Sequence, residues 1–233
     1  MSVRFDTGTD TLRGAGPAIG TGQWSHGFTF RAAATGTSGQ VFTLTNDFTS
    51  ATGSFLSMEA TGTGLKLFTS VGSSDEWAYS SGVDYYIVIG RDGSNTVHFR
   101  AFNLANTSTP VFSSVNADGA GTNYTLTNRG YGAASGFNGN AIDFQMEAEK
   151  WELGVYWTNA ECWAEAQKYA LQRSGGTAEI EVHLTDTSDV TDNAGTAQSL
   201  TNSGCANGAN HPDFLETLGG GGGSTATLAW LRA

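Results

Sequence analysis

Three carboxylates, Asp143, Glu147 and Glu149, fall at positions of one parity in the short run Ile142 to Glu149. Gln145 stands among them, while Ile142, Phe144, Met146 and Ala148 take the other parity. Such alternation is the mark of a half-buried strand, so the carboxylates share one face. Carboxylates aligned in this way are the raw material of glycosidic bond hydrolysis, in which one acts as acid and another as base or nucleophile. A second pair, Glu179 and Glu181, brackets Ile180 in a later strand-like run. Both sets read as solvated strand faces, the ordinary place for acidic side chains.

Other groups suggest other chemistry. Asp186, Asp189 and Asp192, with Asn193, put hard oxygen ligands into one Gly-containing loop, a set suited to calcium. Their spacing matches no EF-hand, and Asp, Ser and Thr also build plain turns, so no cofactor is expected beyond calcium at this loop. Sugar recognition would need ring faces beside amides and carboxylates. Trp77, Tyr79, Tyr131 and Trp157 lie near turns and are the candidates, although a sandwich core also buries many rings. His26, His98, His183 and His211 form no triad spacing. Cys162 and Cys205 form no metal spacing and read as free thiols. The run Gly219 to Gly223 lacks the Lys-Ser/Thr that a nucleotide loop requires.

What positions these groups is almost wholly strand. The chain has 233 residues, with 32 Gly and only 3 Pro, a mixture suited to many short strands joined by tight turns. An aromatic content of 11% supplies the apolar surface that a disordered chain lacks. Trp24 to Ala32, Val41 to Thr45, Phe55 to Glu59 and Leu65 to Val71 alternate between Gly, Ser, Asp and Thr clusters. VDYYIVIGRDG and SNTVHFRAFN make the clearest hairpin, turning near Asp92-Gly93. A helix is expected at about 159–173, opened by the Thr158–Glu161 capping box and stopped at Gly175-Gly176. Trp163, Ala166, Ala170 and Leu171 would share its buried face, with Cys162 and Tyr169 near the edge.

Charge narrows the partners. Eleven basic against 22 acidic residues give a formal charge of −11, which repels nucleic acid and anionic membranes. No apolar run approaches the roughly 20 residues of a spanning helix. Met1-SVRFDTGTD carries neither a basic nor an apolar leader segment, so synthesis in the cytoplasm without a signal peptide is expected. Only ten residues follow the glycine run, so Thr227 to Leu231 is expected to dock on its own domain or on a neighbouring subunit.

The order QWSHGFTFRA, alternating strands, YYIVIGRDGSNTVHF, GYGAASGFNG, a strand, and a helix opening T-N-A-E resembles the concanavalin A-like lectin/glucanase jelly roll in its laminin-G-like form. The likeness is one of order and spacing over about residues 1–173. It implies an all-β antiparallel sandwich over 1–184, followed by a polar extension over 185–233. In LTDTSDVTDNAGTAQSLTNSG the chain is similar to an extension of such domains in tailed bacteriophages. Glucanases of the superfamily carry Glu-x-Asp-x-Glu or Glu-x-Asp-x-x-Glu. Here the order differs and Gln145 stands at the centre, so an enzyme is not expected. The resemblance implies a virion-surface structural protein, a capsid decoration or tail-associated component bound to other virion proteins or to copies of itself. The alternative is a glycan-binding adhesin that recognises a polysaccharide; a glycoside hydrolase or lyase ranks below both.

Overall fold

Residues apolar at every second position can be buried only against another layer, and this chain supplies that layer with a second sheet. The computed structural model describes residues 2–51, 53–105, 108–117, 126–166, 178–184 and 198–208. In chain order the first strands are β1 (Val3–Phe5), β2 (Thr11–Ala15), β3 (Trp24–Ala32), β4 (Ser38–Thr45) and β5 (Leu56–Thr61). Next come β6 (Leu65–Thr69), β7 (Gly72–Ser73), β8 (Tyr85–Arg91), β9 (Thr96–Asn103), β10 (Phe112–Ala117) and β11 (Asn128–Gly132). Then follow β12 (Phe144–Met146), β13 (Ala148–Leu153), the helix α1 (Asn159–Ala166), β14 (Ala178–His183), β15 (Leu200–Ser203) and β16 (Ala206–Asn207).

One sheet runs β15-β2-β11-β4-β5-β6-β7. The other runs β10-β9-β8-β3-β12-β1-β16, with β13 also lying along β3 and β14 along β13. The protein is therefore an all-β antiparallel jelly-roll sandwich with one short helix. Residues beyond 184 return to it: β15 pairs with β2 and β16 with β1, giving each sheet an edge strand. The loop at 185–197, the glycine run and the terminal TLAWLRA lie outside the described residues.

Strands β12 and β13 would be one strand but for a bulge. Gln145 pairs with Arg31 and Glu149 with Phe28, leaving one more residue between these pairs here than on β3. The amides of Glu147 and Ala148 both donate to Thr29 Oγ1, at 2.6 and 3.1 Å. The extra residue reverses the parity of everything after it. Phe144 and Met146 are buried before the bulge, and Glu149 and Trp151 after it. This corrects the expectation of a solvent-facing row: Glu149 is 1% exposed and turns away from the outer face that Asp143 and Glu147 keep, where Asp143 pairs with Arg4 at 2.7 Å.

Glu149 anchors a polar network between the sheets. Arg129, from the opposite sheet, donates to its Oε1 from Nε at 2.8 Å and brings Nη2 within 2.7 Å of the same oxygen as an ion pair. Arg129 also donates to the carbonyls of Ala15 and Gln198. Tyr131 donates its hydroxyl proton to Glu149 Oε2 at 2.6 Å, so the phenolic oxygen accepts from His26 Nε2 at 2.8 Å. His26 stacks on Trp151 with ring centroids 3.9 Å apart. Its Nδ1 has no partner among the described residues, which fits a neutral imidazole. Burial pushes the His26 pKa down to about 4. Burial works against the Glu149 carboxylate, but the charge and hydrogen bonds of Arg129, aided by His26, hold its pKa below the usual range.

The helix caps the outer face of the larger sheet. Thr158 N–H donates to Glu161 Oε2 at 2.7 Å and Glu161 N–H to Thr158 Oγ1 at 3.3 Å, so the capping box forms as read. Cys162 and Ala166 pack with Trp157 over Tyr86, Val88, Phe102 and Leu104, and Trp163 sits at the margin. The expected continuation over 167–173 lies outside the described residues. Both cysteines are buried free thiols.

Acid should loosen this core. Unfolded His26 takes up a proton near its ordinary pKa of 6.5, whereas the folded group refuses it until about 4. Stability is thus expected to fall by about 3 kcal/mol as pH drops through that window, with Glu149 adding to the loss below its usual pKa. Urea titrations between pH 8 and 4 check this, and His26→Gln, which keeps a donor for Tyr131, should flatten the slope. Arg129→Ala leaves a buried carboxylate unpaired and should cost about 3–5 kcal/mol in the same assay.

Candidate functional site

The four rings read as sugar platforms are all withdrawn from solvent: Trp77 is 6% exposed, Tyr79 7%, Tyr131 1% and Trp157 0%. Trp77 meets Tyr85 edge-on at 4.7 Å and Tyr79 at 6.2 Å inside the sandwich. Tyr131 belongs to the inter-sheet network, and Trp157 donates its indole N–H to Glu152 at 2.7 Å beneath the helix. Their expected role as exposed platforms is therefore corrected; the sandwich core took the rings because it is the largest apolar volume available. Asp186, Asp189 and Asp192, with Asn193, lie outside the described residues, as do His211 and the side chains of His183, Glu179 and Glu181.

A ring that does reach the surface in part is that of Tyr156, the neighbour of Trp157. Ser25 Oγ donates to the carbonyl of Val155 at 3.1 Å and accepts from Trp157 N–H at 2.8 Å. Those two bonds pin the residues on either side of Tyr156. The Tyr156 ring lies beside His98, with centroids 4.8 Å apart, and 4.8 Å from the Arg100 guanidinium carbon. Gly90 makes room for it: a Cβ there would stand 3.3 Å from Tyr156 Cδ2. Alternation along β9 puts Val97, Phe99 and Ala101 in the core and leaves His98 and Arg100 on the outer face.

Polar groups surround that ring. Asp92 Oδ1 accepts from the amides of Ser94 and Thr96 in the hairpin turn, at 2.8 and 3.0 Å. Its Oδ2 meets His98 Nε2 at 2.9 Å. Burial disfavours the Asp92 carboxylate, but His98 and the two amides outweigh it and hold the pKa below the usual value. Arg100 Nη1 donates to Asn159 Oδ1 at 3.0 Å, at the first residue of α1. On the helix side, Lys150 bridges Glu165 at 3.0 Å and Glu152 at 3.4 Å, fixing the helix over β13. A half-exposed ring, an imidazole, a carboxylate, a guanidinium and an amide thus converge on one end of one sheet face. The sequence carried the signal for it in the parity of His98 and Arg100 after the Asp92-Gly93 turn, which the search for rings near turns passed over.

A shallow depression elsewhere on the larger sheet is lined by Phe30, Arg31, Asp84, Tyr85, Gln145 and Glu147. It has amide and charged groups, but Phe30 and Tyr85 are 1% and 5% exposed and offer no ring face. Among the described residues no three His, Cys, Asp or Glu side chains gather as a metal site.

No protein-family model matches the chain, and no curated protein does. Solved structures do share its fold. A candidate carbohydrate-binding protein from Bacteroides ovatus superposes with a TM-score of 0.58 at 6% identity, over 88% of this chain and 59% of that one. Domains LG4-5 of the mouse laminin alpha1 chain give 0.49 at 11% identity, over 64% of this chain and 41% of that one. The heptameric SAP-like pentraxin of Limulus polyphemus gives 0.49 at 12%, over 69% and 80%. The chain spans well under two thirds of the laminin and Bacteroides chains. The fold shared with the Bacteroides protein agrees with the jelly roll expected from the sequence.

Asp92→Asn keeps an oxygen for the turn amides but weakens the bond to His98. It should cost about 0.5–1 kcal/mol in urea denaturation, the range for a partly exposed pair. Amide chemical shifts should change at His98 and Tyr156 and stay fixed in the core.

Proposed function

We propose that this chain is a non-enzymatic, lectin-like module that binds a saccharide on the outer face of its larger sheet. The observation that carries this is the Tyr156 ring, half-buried and pinned on both sides, set among His98, Asp92, Arg100 and Asn159. A sugar ring presents C–H groups on its faces and hydroxyls around its rim. A tyrosine face takes the first, and imidazole, carboxylate, guanidinium and amide take the second. The fold likeness to a Bacteroides protein described as carbohydrate binding supports the same reading. The bulge takes Glu149 into the core to pair with Arg129, and Asp143 is engaged by Arg4, which supports binding without hydrolysis.

A glycan array of wild-type protein and Tyr156→Ala tests it. The variant should lose about five-fold in affinity, in keeping with roughly 1 kcal/mol for a ring contact, with an unchanged melting temperature. Absence of selective binding to any saccharide, binding indifferent to Tyr156, or release of reducing ends would each overturn the reading.

A second reading, assembly on a virion surface, draws on the exposed Val111 and Val115 at the open edge strand β10, 50% and 59% accessible. A neighbouring copy or capsid subunit would cover such an edge. Light scattering that finds only monomer, and absence of the chain from purified particles, would remove it.

A further inference from the structure

We infer that the saccharide bound on this face is an acidic one, its carboxylate or sulfate taken by Arg100; this rests on the saccharide-binding reading above. Arg100 is 2% exposed, yet its Nε and Nη2 have no hydrogen-bond partner among the described residues. Among the described residues its one side-chain hydrogen bond is that from Nη1 to the neutral amide of Asn159, supplemented by the Tyr156 ring face. A buried guanidinium is held elsewhere in this protein quite differently: Arg129 has a carboxylate and two carbonyls. The carboxylates nearest the face are engaged elsewhere, Asp92 with His98, and Glu152 and Glu165 with Lys150.

Leaving charged donors buried and unmade is costly, so a site that keeps them so is set up for an acceptor from outside. An oxyanion answers two unpaired, coplanar N–H groups better than any neutral acceptor, because the planar fork matches its two oxygens. Little stands in the way. The bonds of Ser25 hold only the backbone on either side of Tyr156, and no hydrogen bond holds its hydroxyl among the described residues, so the ring can tilt about its own side-chain bonds to bare Arg100 and still face the sugar. Ser113, directly opposite Arg100 on the edge strand, is small and exposed. The chain as a whole carries a formal charge of −11, so no general attraction draws a polyanion to it. Selective uptake of an acidic sugar therefore reports this one cation.

Calorimetry of the full chain with trigalacturonic acid, its neutral methyl ester, and a sulfated galactotriose tests the inference. The carboxylated or the sulfated probe should bind at least ten-fold more tightly than the methyl ester, and the stronger of the two identifies the anion. Arg100→Gln should remove that preference. Because Arg100→Gln alters a buried side chain, Ser113→Asp serves as the second: it places a competing carboxylate across from Arg100. It should raise the melting temperature and abolish the acidic preference while leaving binding of the ester in place. If the ester binds as well as either acid, or Ser113→Asp leaves the preference intact, the acidic-ligand inference fails while saccharide binding stands. If none of the probes binds, and a wider array of acidic and neutral glycans is also blank, both fail together.

Discussion

The bond between Arg129 and Glu149 is the constraint around which the sandwich is arranged. It crosses from one sheet to the other, and both side chains are completely buried. Such a pair is a poor source of stability, because desolvating two charges consumes most of what their attraction returns. What it supplies is selection. A slip of one residue on either strand would bury Glu149 with no cation, or Arg129 with no anion, and either costs several kcal/mol. The bulge at Glu147 is what delivers Glu149 to the interior, and Thr29 Oγ1 holds the bulge by taking both of its amides. Register, bulge and ion pair thus depend on one another.

The same bulge decides what happens outside. By returning Glu149 and Trp151 to the core it turns Lys150 and Glu152 toward the outer face, where they meet Glu165 and Trp157. The helix is seated by those contacts and by its capping box, over the apolar patch of Tyr86, Val88 and Phe102. The segment leading into the helix must then cross β3 and β8, and Ser25 clamps it at Val155 and Trp157. Tyr156 is set over His98 by that crossing. A charge pair in the core and a ring on the surface are two ends of one chain of placements.

Much of this was written in the sequence. Alternation located β3, β8 and β9, the Asp92-Gly93 turn joined the last two, and T-x-x-E opened the helix, all from contacts within a few residues. The bulge was not legible, because the hydroxyl that holds it belongs to a residue 118 positions away. Once it was missed, simple alternation carried Glu149 to the wrong side. Proximity to turns likewise chose Trp157 over Tyr156 as a surface ring, although adjacent residues in extended chain face opposite ways. Tyr131 was chosen for its ring, whereas its hydroxyl is what the fold uses.

Two arginines show how the protein separates structure from recognition. Arg129 and Arg100 are both buried, and both cost the chain a desolvated cation. Arg129 recovers that cost from acceptors already in place, a carboxylate and two carbonyls, which leaves it little to offer a ligand. Arg100 lies one layer further out, in the sheet that the helix only partly covers, and its bonds are left incomplete. Filling them from within would need a carboxylate on β10 or at the start of α1, where the chain places Ser113 and Asn159 instead. In a protein with twice as many acidic as basic residues, an acid was readily available for that position. The short neutral side chains that stand there leave two N–H groups of Arg100 unanswered, which is what the proposed recognition of an acidic ligand requires of a buried cation on a rigid sheet.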